Sequence, residues 1–135
     1  MKRVKSLTLN NKIRKPILDV IPDVIVVMNR QGVLTQLISV GHQPYSHNMV
    51  TAIGKTLEEF LRPNIAERFR HLIQLTLETQ TIQIDEYNFN LNETVYYQQA
   101  TLSPINNNEV VIILRDISQQ KQAETKLKKS EQRYR

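Results

Sequence analysis

The 135-residue chain has no cysteine, so it can build neither a disulfide framework nor a thiolate metal site. Its three glycines, Gly32, Gly41 and Gly54, are too scattered for a glycine-rich phosphate loop. The longest aliphatic runs, residues 24–28 and 110–114, are far too short to cross a bilayer as helices. The basic N-terminus is not followed by an apolar segment, which argues against a secretory signal. No side chains are spaced as a nucleophile, base and acid set. These absences point to a cytoplasmic, non-catalytic module without direct membrane contact. At this length one domain with a real core is expected.

Acidic residues are missing from the first fifteen positions, which carry Lys2, Arg3, Lys5, Lys12, Arg14 and Lys15. The overall charge of +5 is therefore uneven. Both ends are basic, whereas residues 16–114 hold twice as many acids as bases. A nucleic-acid binder would carry its basic patch on the fold, interleaved with aromatics. The basic ends read instead as solvated helix faces or a leader, with no nucleic-acid partner.

What is present is strongly patterned. Residues 1–16 form a basic leader running into an N-terminal helix, with Ile13, Ile17, Leu18 and Ile21 at helical spacing. Residues 24–28 form a strand, Asn29-Arg30-Gln31-Gly32 its turn, and 33–39 the return strand. The stretch 40–53 is irregular, with Gly41, Pro44 and Asn48. Thr56 and Glu59 have capping-box spacing, and Asn64 and Glu67 repeat it. Ile65, Phe69, Leu72, Ile73 and Thr76 then share one helical face. Residues 81–91 read as a strand whose apolar phase slips between Ile84 and Tyr87, which predicts a bulge or a face switch near Asp85-Glu86. Strands at 95–103 and 109–117 follow. Two hairpin groups separated by helices imply an α+β layout, one antiparallel sheet with helices on one face.

The last strand feeds directly into a polar helix from residue 118 onward. Asp116 and Ser118 are residue types that cap helix N-termini. Arg115-Asp116-Ile117-Ser118 followed by Lys121-Gln122-Ala123-Glu124 resembles the end of a PAS sensor domain and the start of its signalling helix. Residues 21–34 resemble the first PAS hairpin, and Ile53-Gly54-Lys55-Thr56-Leu57 the entry to its middle helices. Ser130-Glu131-Gln132-Arg133-Tyr134-Arg135 resembles the opening of a further PAS repeat.

The resemblance implies a five-stranded antiparallel sheet of order 2-1-5-4-3, with a PAS domain over 17–117. Residues 118–135 become a coiled-coil-like linker to a further domain. The module would belong to a multidomain signalling protein, most simply a bacterial two-component sensor histidine kinase. The alternatives are a haem- or other small-ligand sensor, or the PAS module of a nucleotide or diguanylate cyclase. PAS photosensors that form a flavin or coumaric-acid adduct need a cysteine, which is absent. The phospho-acceptor motif of a histidine kinase is absent from the chain as well.

His42, His47 and His71 are the candidate metal or haem ligands. His42 and His47 lie in an irregular stretch without cysteine or an acid pair, which supports no zinc site. His71 falls off the apolar face of its helix, and the family's haem ligand would fall nearer Phe69. No cofactor and no metal are expected, although a small-molecule ligand is possible. The candidate pocket residues are Phe69, Leu72, Ile73, Tyr87 and Phe89, with a filled core favoured over a ligand cavity. Gly41 and Pro44 disfavour the helix that follows the second strand in many PAS domains.

Homodimerisation through the terminal helices is expected, with Ile13, Ile17, Leu18 and Ile21 on one side and Asp116, Ile117 and Leu127 on the other. In the exit helix Ile117, Gln120, Glu124, Leu127, Glu131 and Tyr134 form a heptad seam with few apolar members, hence a weak one.

Overall fold

The computed structural model describes residues 13, 16, 17, 20–43 and 49–133, with side chains described through Ser130. Strands β1 (Val24–Asn29) and β2 (Leu34–Ser39) form the first hairpin. The Asn29 side-chain oxygen accepts the N–H groups of Gln31 at 3.0 Å and Val33 at 2.9 Å. Gly32 closes this turn at φ +78°, a conformation that costs glycine little. A short 3-10 turn at Met49–Ala52 leads to α1 (Leu57–Phe60) and α2 (Pro63–Thr79). Three strands follow, β3 (Gln83–Leu91), β4 (Thr94–Pro104) and β5 (Glu109–Asp116), and then the exit helix α3 (Ser118–Arg133).

The sheet order is β2-β1-β5-β4-β3, with every neighbouring pair antiparallel. This is the architecture that the sequence resemblance implied. Helices α1 and α2 cover one face. Ile65, Phe69, Leu72, Ile73 and Thr76 of α2 are all buried, as the helical phase requires, together with Ala66 and Leu77. Opposite them the sheet contributes Val24, Val26, Met28, Ala100, Leu102, Val110 and Ile112. Thr76 tolerates complete burial because its hydroxyl donates to the Leu72 carbonyl at 2.7 Å.

Two local expectations are corrected. The β3–β4 pairing runs without a break from Gln83↔Leu102 to Leu91↔Thr94, so there is no bulge at Asp85-Glu86. Ile84 occupies the outer phase of the strand and Ile82 precedes it, at 62% and 60% exposed. The apparent slip arises because apolar residues occupy both phases of this edge strand. The irregularities lie instead between β1 and β2. The second correction concerns the start of α2. Its cap is Arg62 with Pro63 in the first turn, not Asn64. Proline fits there because the N–H it lacks would have no helical partner. The box at Thr56 does form: the Glu59 carboxylate accepts the Thr56 N–H at 3.1 Å and lies 3.0 Å from its hydroxyl. These two bonds hold the Glu59 carboxyl below its ordinary pKa.

Beyond β2 the chain is not helical over Val40 to Gln43, in line with the reading of Gly41. A Cβ on Gly41 would come within 2.6 Å of the Pro22 carbonyl, and the residue sits at φ +67°. Pro44, His47, Leu18 and Tyr134, which the sequence reading also used, lie outside the described residues. No described helix is long and apolar enough to cross a membrane.

Candidate functional site

Between the helical layer and the β3 end of the sheet lies a cleft of about 530 Å³. Its volume falls in the range of roughly 300–1,000 Å³ typical of small-molecule sites. Val24 and Leu114 form its floor, Phe60, Leu61 and Ile65 its helical wall, and Tyr87, Phe89 and Leu91 its β3 side. Thr51 and Ala52 close it from the irregular segment. A smaller void of about 60 Å³ shares Tyr87, Gln98 and Leu114 with it and reaches Phe69 and Ile112.

The aromatic wall is ordered by the strand period. Tyr87 and Phe89 stand two residues apart on the inner face of β3. Phe69 meets Tyr87 edge-on, with centroids 5.7 Å apart at 83°. Phe89 stacks on Tyr96, its direct partner across β4, at 5.7 Å. From outside, the Arg68 guanidinium lies 6.0 Å from the Tyr87 ring centre.

One buried polar chain interrupts the apolar lining. The Tyr87 hydroxyl donates to the side-chain oxygen of Gln98, and the Gln98 amide donates to the Gln43 side-chain oxygen at 3.2 Å. The Gln43 amide in turn donates to the Leu114 carbonyl at 2.9 Å. All three side chains are nearly inaccessible, so each hydrogen bond offsets a desolvation cost. Gln98 sits in the same inward register as Ala100 and Leu102 of β4. It therefore presents a polar group to the cleft from the middle of the sheet.

Gln98 is also next to the junction with the exit helix. Its register partner on β5 is Asp116. Its neighbour Tyr97 accepts the Ile117 N–H at 2.9 Å and donates its own N–H to the Ser118 hydroxyl at 3.0 Å. The Asp116 carboxylate accepts the Ser118 N–H at 2.9 Å, so it caps the helix as its residue type led us to expect. Lys121 adds an ion pair with Glu86 of β3 at 3.0 Å.

The model of the PAS fold matches residues 18–122. The chain belongs to the PAS family. No curated protein matches it. Among solved structures it is similar to a PAS domain from Colwellia psychrerythraea, with a TM-score of 0.62 at 22% identity, over 80% of this chain and 97% of that one. It is also similar to a sensory box sensor histidine kinase from Vibrio cholerae, with a TM-score of 0.54 at 16% identity, over 86% and 98% of the two chains. A third similar structure is the RpfR quorum-sensing receptor PAS domain of Cronobacter turicensis in complex with BDSF, with a TM-score of 0.57 at 13% identity, over 71% and 94%. At these identities the likeness shows the fold. A PAS fold is non-catalytic by itself.

The structure separates the residues that the sequence reading grouped as a pocket. Tyr87 and Phe89 line the cleft, and Phe69 lines the smaller void beside it. Leu72 and Ile73 line neither and belong to the packed core. The favoured filled core therefore holds under α2 and fails toward the β3 edge. There the opposing wall comes from small or polar side chains such as Ala52, Thr51 and Gln98, which do not fill the space. Gln43, Gln98 and Arg62 were not singled out in the sequence. The inward phase of β4 places position 98 in the core, so an alternation count would have found that one.

The residues assigned to signalling also divide. Ile13 and Ile17 are helical and exposed, at 53% and 40%, and Ile21 is half-buried. Leu127 is 62% exposed on α3. Ile117 is buried within its own domain, which removes it from the apolar seam expected of the exit helix. His71 and His42 are exposed, so His71 does not reach the cleft as a haem ligand would have to.

Proposed function

We propose that the chain is the sensory PAS module of a multidomain signal-transduction protein, of the sensor histidine kinase type. A small molecule in the cleft is the signal, and the exit helix is the output. One observation carries this reading: Gln98, the buried polar residue of the cleft, adjoins Tyr97, which clamps Ile117 and Ser118. A ligand that reaches Gln98 disturbs its hydrogen bonds to Tyr87 and Gln43. The resulting shift of β4 acts directly on the first turn of α3. Ligand sensing also agrees with the RpfR receptor PAS domain, solved in complex with BDSF and with C12:0.

The ligand biases a two-state arrangement only through its difference in affinity for the two states. The test is therefore amide hydrogen exchange at Ile117 and the first turn of α3. Gln98→Leu keeps the side-chain volume similar but breaks the polar chain. It should raise exchange at Ile117 several-fold while the centre of α2 remains protected. Equal exchange at Ile117 in both proteins would refute the relay.

A further inference from the structure

The chemistry of the cleft goes one step further, on the reading that the cleft is the sensory site. We infer that its ligand is an amphiphilic anion: one apolar chain of medium length ending in a carboxylate, with the carboxylate against Arg62. Three observations on this chain support that class.

The first is the lining. Most of it is aliphatic or aromatic, which suits a flexible apolar chain. The second is charge. Among the described residues the lining contains no Asp or Glu and a single cation, Arg62. A cationic ligand would meet like charge with nothing to offset it. A nucleotide would need several donors for its phosphates, and the cleft offers one charged group.

The third observation is the state of Arg62 itself. Arg68, Arg70 and Arg115 each pair with a carboxylate, from Asp85, Glu58 and Asp23 respectively. Arg62 pairs with no carboxylate among the described residues. Its Nη2 donates to the Asn90 carbonyl at 2.6 Å, which fixes the guanidinium at the cleft rim. That bond engages one of five N–H groups, and the planar fork suits a carboxylate. The orientation follows from solvation. Arg62 is exposed, so an anion there keeps water on one side. At the inner end stands the neutral amide of Gln98, where a carboxylate would be desolvated without a counter-charge. The head therefore sits at the rim and the chain points inward.

The test uses the whole chain, stripped of co-purifying lipid, with three submicellar probes: dodecanoate, 1-dodecanol and dodecyltrimethylammonium. Affinities are read by displacement of an apolar fluorophore. Dodecanoate should bind one-to-one, about tenfold more tightly than either other probe at low salt. That preference should fall with ionic strength. Arg62→Gln should abolish the preference and leave dodecanol binding within about twofold, whereas Arg62→Lys should retain part of it. Arg62 is exposed, and an unchanged melting temperature confirms folding of each variant.

Undiminished dodecanoate binding by Arg62→Gln, or no preference over dodecanol in the unmodified chain, overturns the inference. Ala52→Phe, which fills the cleft, separates this failure from failure of the site. If Ala52→Phe blocks both neutral and anionic probes, the cleft stands as a binding site and only the head group is wrong. If no probe binds, or if Ala52→Phe leaves binding intact, the ligand class and the cleft fall together. The relay to Ile117 is judged separately by hydrogen exchange.

Discussion

The Arg115 guanidinium lies 3.1 Å from the carboxylate of Asp23, joining the residue before β1 to the end of β5. The two partners differ sharply in environment. The Asp23 side chain is 8% exposed and that of Arg115 is 62% exposed. The carboxylate raises the pKa of Arg115 further above its usual value. The Asp23 carbonyl also accepts the Ser39 hydroxyl at 3.0 Å. One corner thus fastens the ends of β1, β2 and β5, one residue away from the cap of the exit helix. Loss of Arg115 leaves a desolvated carboxylate without its counter-ion. Arg115→Met should cost about 1–3 kcal/mol in urea unfolding. A loss under about 0.5 kcal/mol, the level of an ordinary surface change, would show that water replaces the guanidinium.

Phe69 is 3% exposed and bridges the packed core under α2 to the aromatic wall of the cleft. Phe69→Ala removes a ring from a site with few means of collapse. The expected cost is about 3–5 kcal/mol by chemical denaturation. The same variant should enlarge the smaller void beside Tyr87, since Phe69 lines it. A cost below about 1 kcal/mol would mean that the neighbours close over the gap.

Stability should depend on acid through Asp85. Its hydrogen bonds to Arg68 lower its carboxyl pKa, and their common charge interaction acts in the same direction. A lowered folded-state pKa contributes stability that is fully present above the unfolded value, about 4. That contribution is lost as pH falls through the folded value. The pair is partly solvated, so it is worth about 1 kcal/mol at most. Asp85→Asn should therefore melt lower than the parent at pH 7, and the gap should shrink as the pH falls below the unfolded value of about 4. A gap that is constant over this range would assign the effect to packing of the side chain, not to its charge.

The parts legible in the sequence were those governed by local rules. The buried face of α2 follows from the spacing of Ile65, Phe69, Leu72 and Ile73, because a helix can bury only one stripe. The Asp116 cap and the Gly32 turn follow from side-chain chemistry within two residues. The strand order was legible through family resemblance. What stayed hidden depends on pairings distant in sequence. Gln43 meets Gln98 across 55 residues, and no periodicity announces that contact. The cleft is hidden for the same reason, since the void is set by side chains from six separate segments failing to fill a space. Ile84 misled because an edge strand accepts apolar residues on both faces.

The exit helix yields the sharpest functional prediction. Its phase relative to the domain is fixed by buried Ile117, by Ser118 against Tyr97 and by Lys121 against Glu86. Beyond Lys121 the described side chains of α3 are exposed, Leu127 among them. A residue inserted between Gln122 and Ala123 therefore leaves the clamp intact and rotates everything after it by about 100°. If α3 transmits a rotational state to a following domain, insertions of one, two and three alanines in the full-length protein should change output strongly and unequally. Seven alanines should restore much of it, because two turns return the face to within about 20°. The readout is the activity of the full-length protein with and without ligand. Output indifferent to one, two and three alanines would make α3 a tether, with signalling carried by some other surface. Output lost equally with one and seven would point to helix length, not phase, as the transmitted quantity.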